Sequence, residues 1–351
     1  MTYKILILGA SYGSLLGAKI ALAGHTVKLV CLPEEVELIN SEGAIVKLGA
    51  RGVDGLIELN SKDMPGDLSA GGTNDVDPND YDLIALAMQE PQYGVPAVKE
   101  LMARVAASRK PCMSIMNMPP LTYLKRIPAL NADELRGAYT DPSVWDGFDP
   151  SLMTLCSTDP QAFRPIDQKV NVLQVGLPTN FKASRFESHE HTAILNELEA
   201  DIQAIRYEHE GREIELPVKL RVHDSIFTPL AKWSMLMAGN YRCVQPEEMR
   251  PIKQAVHSDL DASRSVYEWV VELCEKMGGD RSDLVPFEKY ANAALSLLNP
   301  SSAARALAAG APNIERVDRL VKTIAGQFGM SSKEIDKTVG LVDRWLGRNR
   351  V

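Results

Sequence analysis

Tyr3-Lys4-Ile5-Leu6-Ile7-Leu8-Gly9-Ala10-Ser11-Tyr12-Gly13-Ser14-Leu15-Leu16-Gly17 opens the chain. The apolar run Ile5 to Leu8 enters a glycine-bearing turn. An Ala- and Leu-rich stretch, Ser14 to Ala23, follows and reads as a helix stopped by Gly24. Strand, tight turn and helix in that order form a cradle for a dinucleotide pyrophosphate, because the turn brings backbone N–H groups and a helix N-terminus to the phosphates. The usual spacing is G-x-G-x-x-G. Here Gly9, Gly13 and Gly17 give G-x-x-x-G-x-x-x-G, with Ser11 where the second glycine belongs. Two readings fit: a shortened turn in which Ser11 donates its hydroxyl to a phosphate, or glycines that only let the helix lie close on the sheet.

The residues that follow extend an α/β pattern. Thr26 to Leu32, Tyr81 to Met88 and Pro111 to Asn117 read as strands, with Val95 to Ala107 as a helix between the last two. Such alternation predicts a parallel sheet covered on both faces, a Rossmann-type domain. Gly43 to Leu48 with Gly55 to Leu59 reads as an inserted hairpin, and Ser69 to Asp80 as a polar surface loop. Val170 to Val175 reads as a strand, His189 to Ile205 as a helix and Tyr207 to Leu220 as a second hairpin. From His223 the pattern becomes helical throughout: Ser225 to Tyr241, Pro251 to Met277, Pro286 to Leu298, Asn313 to Phe328 and Ser332 to Leu346. The expected domains are therefore 1–222, dinucleotide-binding, and 223–351, all-helical.

Bulk properties narrow the function. The 351 residues suffice for two domains, and the formal charge of −8 argues against a nucleic-acid or anionic-membrane partner. No apolar run reaches membrane-spanning length. Met1 leads straight into a strand without a basic flank or cleavage pattern, which predicts a cytoplasmic protein. Cys31, Cys112, Cys156, Cys243 and Cys274 are scattered and form no C-x-x-C pair, so neither a disulfide framework nor a metal site is expected. His189 and His191 lie two apart at a helix start and do not face one another. His223-Asp224 reads either as a relay or as boundary residues, with Asp224 or Ser225 capping the next helix.

Lys232 is the other informative residue. It sits in Ile226-Phe227-Thr228-Pro229-Leu230-Ala231-Lys232-Trp233-Ser234-Met235-Leu236-Met237-Ala238-Gly239-Asn240, which is otherwise uncharged. An ammonium there either snorkels to the surface or serves chemistry. Reduction of a ketone by a nicotinamide needs a proton donor for the developing alkoxide, and Lys232 has the right chemistry. Asn240, two turns on, reads either as a helix-end residue or as a second polar group of the same site.

These residues together resemble the ketopantoate reductase family (2-dehydropantoate 2-reductases and related 2-hydroxyacid dehydrogenases) over nearly the whole chain. Gly9 to Lys19 resembles the family's opening turn and helix, Ala97 to Leu101 the helix after its third nucleotide-binding strand, and Asn313 to Gly329 a late helix. The resemblance implies a nicotinamide cofactor, NADP or alternatively NAD, at Gly9, Ala10, Ser11, Tyr12, Gly13, Leu32, Met88 and Asn117. It implies a catalytic Lys232 with Asn240, and substrate contacts from Asn117, Ser301, Ser302 and Asn313. The substrate would be a 2-oxo acid or related ketone, and the protein a homodimer. Leu32 stands where an NADP-binding arginine is expected, and Gln89 or Glu90 where a cofactor-facing lysine is common. Leu236 replaces the first helix asparagine, Met118-Pro119-Pro120 follow Asn117, and Asn313 takes the place of a glutamate, with Glu315 close by. An opine-type dehydrogenase and a non-catalytic dinucleotide-binding protein are the alternatives.

Overall fold

The computed structural model describes Met1–Arg350. Its strands in chain order are β1 (Lys4–Leu8), β2 (Thr26–Val30), β3 (Ile45–Leu48), β4 (Ile57–Asn60), β5 (Asp67–Gly71), β6 (Leu83–Leu86), β7 (Cys112–Ile115), β8 (Met153–Ser157), β9 (Gln161–Phe163), β10 (Val172–Leu177), β11 (Phe181–Ser184), β12 (Tyr207–His209), β13 (Arg212–Ile214) and β14 (Leu220–His223). All of them lie in a first unit, Met1–Met88, Gln92–Met116 and Val144–Asp224. The second unit is Gln89–Pro91, Asn117–Ser143 and Ser225–Val351. The sequence suggested a single boundary at residue 222. The chain makes its last crossing at Asp224, and two earlier excursions, 89–91 and 117–143, also belong to the second unit.

The main sheet has eight strands in the order β14-β11-β8-β7-β6-β1-β2-β5. From β5 to β8 every pairing is parallel, and β8 to β11 is antiparallel. The order β5-β2-β1-β6-β7-β8 reverses direction between β1 and β6, and ligands of such sheets bind at that switch point. Ile5, Leu6, Ile7 and Leu8 are fully buried in the centre. Each such side chain contributes about 1.5–3 kcal/mol on burial, which is why this apolar run dictates the fold. The helix Tyr12–Leu22 returns across the sheet. Its Gly13 and Gly17 permit close contact: a Cβ would come within 2.8 Å of Ile7 Cγ2 and 3.2 Å of Val27 Cγ1.

Several elements differ from the sequence reading. The Gly43–Leu59 hairpin is present as β3 and β4, but it extends into a second sheet, β4-β3-β10-β9. The Val170–Val175 strand belongs to that sheet and not to the main one. The start of the expected Ser69–Asp80 loop is β5, an edge strand whose Leu68 and Ala70 are buried against the core. In the second unit Pro251–Met277 is two helices, Ile252–His257 and Leu260–Lys276. Asp259 caps the second by accepting from the Ala262 N–H at 2.9 Å. The helix Ser302–Ala308 was not foreseen, because its seven residues are too few to show a period. Among the described residues no helix is long and apolar enough to cross a membrane.

Candidate active site

The chain around Lys232 is a composite helix. A 3₁₀ turn, Thr228–Ala231, leads into one α turn, Lys232–Met235, then a π turn, Leu236–Asn240, and a closing 3₁₀ turn, Tyr241–Cys243. Such π turns recur at functional sites because they change which side chains share a face. The Tyr290 hydroxyl donates to the Met235 carbonyl at 3.0 Å, beside the point where the winding changes. The Ser225 hydroxyl accepts from the Phe227 N–H at 3.1 Å ahead of the entry, but the N-cap there is Phe227 and no side chain caps the turn, so neither Asp224 nor Ser225 is the expected cap.

A cavity of about 30 Å³ lies in the second unit. Gln89, Asn117, Leu236, Asn240, Ser302 and Glu315 are among its lining residues. The volume holds about one or two waters, so a larger molecule enters only if the lining moves. Asn117, Asn240 and Ser302, far apart in sequence, are thus brought together. Asn313 is not among them: it is exposed, and its Oδ1 accepts from Arg350 Nη2 at 2.8 Å. Glu315, two residues on, lines the cavity instead. Ser301 does not line the cavity either. It is buried, caps the helix Ser302–Ala308 by accepting from the Ala304 N–H, and donates to the Asn240 carbonyl.

Glu315 is the centre of the arrangement. The Glu90 N–H and the Asn117 Nδ2 both donate to its carboxylate, each at 3.4 Å. The Tyr241 hydroxyl donates to its carbonyl at 2.5 Å and accepts from the Val317 N–H at 3.1 Å, fixing the backbone there. Arg316 cannot neutralise Glu315, because its guanidinium is paired with Asp318 at 2.9 Å and with Asp343 at 2.7 Å. Burial pushes the Glu315 carboxyl up to about 7; the two hydrogen bonds oppose that rise, the Glu90 charge adds to it, and Lys232 opposes it. Lys232 is half-buried, outside the lining but within electrostatic reach of Glu315. The Trp233 Nε1 donates to the Asn117 carbonyl at 3.4 Å, tying the lysine turn to the asparagine.

Glu90 is a group the sequence reading assigned to a cofactor position. It is 2% exposed, and its carboxylate accepts from the Thr140 N–H and hydroxyl at 2.9 and 2.8 Å. Burial raises its pKa and the Thr140 bonds oppose the rise. Only the excursion of 117–143 into this unit supplies Thr140, so no local pattern could have shown it.

The glycine turn lies in the first unit. Gly9 has φ +106°, and a Cβ there would stand 2.7 Å from the Ala87 carbonyl oxygen and 2.8 Å from Met88 Cγ. Only glycine lets the chain pass so close to the end of β6. Ser11 is the N-cap of the helix Tyr12–Leu22, and its side chain makes no capping bond. The Met88 N–H donates to the Tyr93 hydroxyl at 3.0 Å. Leu32, 68% exposed beyond the tip of β2, offers no charge. A bare-backbone turn at the switch point, followed by a helix N-terminus, fits a dinucleotide pyrophosphate.

No family model and no curated protein matches the sequence. Solved structures do match. One is the probable 2-dehydropantoate 2-reductase of Bacillus subtilis: 15% identity, 97% of this chain and 99% of that one, TM-score 0.60. Another is D-mandelate dehydrogenase with NADH and anilino(oxo)acetate: 13% identity, 99% and 100%, TM-score 0.64. A third is the dimeric ketopantoate reductase of Staphylococcus aureus: 9% identity, 99% of each chain, TM-score 0.60. This chain has their fold: a Rossmann-type α/β domain and a helical C-terminal region.

Proposed function

We propose that the chain is a nicotinamide-dependent reductase of the ketopantoate reductase type, which converts a 2-oxo acid or related ketone to the 2-hydroxy compound. One observation carries the reading: Asn117, Asn240, Ser302 and Glu315 line a single cavity, with Lys232 in electrostatic reach of Glu315. A buried carboxyl held near neutrality beside a lysine is the pairing proton transfer needs at physiological pH.

The nicotinamide, when bound, supplies the hydride. Gly9 to Gly13 hold its pyrophosphate. Lys232 gives a proton to the substrate oxygen as negative charge develops on it, and Asn240 and Asn117 orient that oxygen through their amide groups. Ser302 holds the substrate carboxylate through its hydroxyl. Glu315 returns a proton to the neutral lysine and is itself recharged from solvent. NADPH is the cofactor of this reading and NADH its rival. A homodimer in the cytoplasm, where the five cysteines stay reduced, completes it.

The test is fluorescence titration with NADPH and with NADH, followed by turnover of a panel of 2-oxo acids. Lys232→Ala should lower kcat by about 10²- to 10⁴-fold and leave dinucleotide binding unchanged. Binding with no turnover of any oxo acid would make the chain a dinucleotide-binding protein. Turnover only with an added amine would make it an opine-type dehydrogenase. An equally active Lys232→Ala removes the lysine from the chemistry.

A further inference from the structure

The first unit holds an arginine that the glycine turn and the tip of β2 share. Arg164 follows β9, the edge strand of the second sheet. Its Nη2 donates to the Ala10 carbonyl at 3.2 Å, and it also pairs with Glu35 Oε1. The other Glu35 oxygen accepts from the Leu32 N–H at 2.9 Å. Ala10 is in the phosphate turn, and Leu32 is just beyond β2. The guanidinium is therefore pinned between the two places that face the pyrophosphate and the adenosine ribose in a dinucleotide-binding sheet.

Three further facts bear on what it does there. Nε and Nη1 of Arg164 have no partner among the described residues, and the side chain is 34% exposed. A guanidinium offers five donors in a fixed fork suited to phosphate. Leu32 leaves the ordinary position for a 2′-phosphate-binding cation empty of charge, and Glu35, which would otherwise serve the ribose hydroxyls, is occupied by Arg164 and by capping its own helix.

We infer that Arg164, reaching in from the second sheet, recognises the 2′-phosphate of NADPH in place of a cation at Leu32. This rests on the proposed function and makes it specific: the chain prefers NADPH because Glu35 holds a phosphate-binding guanidinium at the ribose end of the cradle.

The experiment is separate titration of the whole protein with NADPH and NADH, for wild type, Arg164→Ala and Glu35→Gln, with a thermal melt of each to establish folding. Wild type should bind NADPH more tightly. Arg164→Ala should weaken NADPH by about 10- to 100-fold and NADH by less than about 3-fold. Glu35→Gln weakens the hold on the Arg164 guanidinium and should lower the NADPH preference. If Arg164→Ala changes neither affinity, or weakens both equally, the assignment is overturned while the reductase reading stands. If wild type binds neither dinucleotide, both are overturned.

Discussion

The Ser301 hydroxyl donates to the Asn240 carbonyl at 2.7 Å while accepting from the Ala304 N–H at 3.2 Å. One buried hydroxyl thus joins the end of the π turn to the start of the helix Ser302–Ala308, and holds Asn240 and Ser302 on a common cavity wall. The neighbouring serines should therefore behave differently. Ser301→Ala loses a helix cap and the bond to the Asn240 carbonyl, which costs about 2 kcal/mol in a urea melt. Ser302→Ala should leave stability within about 0.5 kcal/mol and raise KM for a 2-oxo acid about tenfold. Equal melts for the two variants would remove the capping role of Ser301.

Glu315 makes stability depend on pH with a definite sign. Its carboxyl titrates near 4.5 when unfolded and at about 7 when folded. Between those values the native state binds more protons, so its contribution to stability falls as pH rises. Glu315→Gln should therefore stabilise the protein at pH 8 by roughly 2 kcal/mol relative to wild type, and by much less at pH 4. A difference in denaturation midpoint that does not change between those pH values counts against a raised Glu315.

Glu90 should set where that group works. Its charge raises Glu315, with Lys232 acting in the opposite sense. In the proposed reaction Glu315 acts as an acid, so reductive kcat/KM declines above about pH 7. Removing the Glu90 charge lowers the Glu315 value, so Glu90→Gln should move that decline to lower pH by about half a unit to one unit. A profile that keeps its midpoint while only its height drops would reduce Glu90 to a structural partner of Thr140.

Two glycine substitutions should have opposite signs. Gly9→Ala meets the Ala87 carbonyl at 2.7 Å and a φ of +106°, and should cost about 2–4 kcal/mol and abolish dinucleotide binding. Gly340 lies inside the exposed face of the helix Lys333–Asn349, with nothing within 4 Å of an added Cβ. Gly340→Ala should stabilise by about 0.5–1 kcal/mol, seen as a higher melting temperature with unchanged binding.

The parts legible in the sequence are those with a local physical signature. Ile5 to Leu8 read as a buried strand, and the glycines after it as a turn or a close approach of helix to sheet, because side-chain size and backbone freedom act over a few residues. The helices Leu260–Lys276, Val317–Gln327 and Lys333–Asn349 declare themselves by apolar periodicity. The isolation of Lys232 among apolar residues was visible for the same reason.

What the tertiary structure alone decided has no period and no fixed spacing. Asn313 and Glu315 differ by two positions in a segment without regular structure, and Tyr241, seventy-four residues away, selects Glu315 by gripping its carbonyl. Segment 117–143 leaves the first unit to bring Asn117 to the Glu315 cavity and Thr140 to the Glu90 carboxylate, and Arg164 reaches the glycine turn from a second sheet. Sequence alone therefore determined the sheet, its glycine turn and most helices, since these follow from neighbouring residues. The proton-bearing groups depended on the folded chain, since burial and long-range hydrogen bonds give a carboxyl its character.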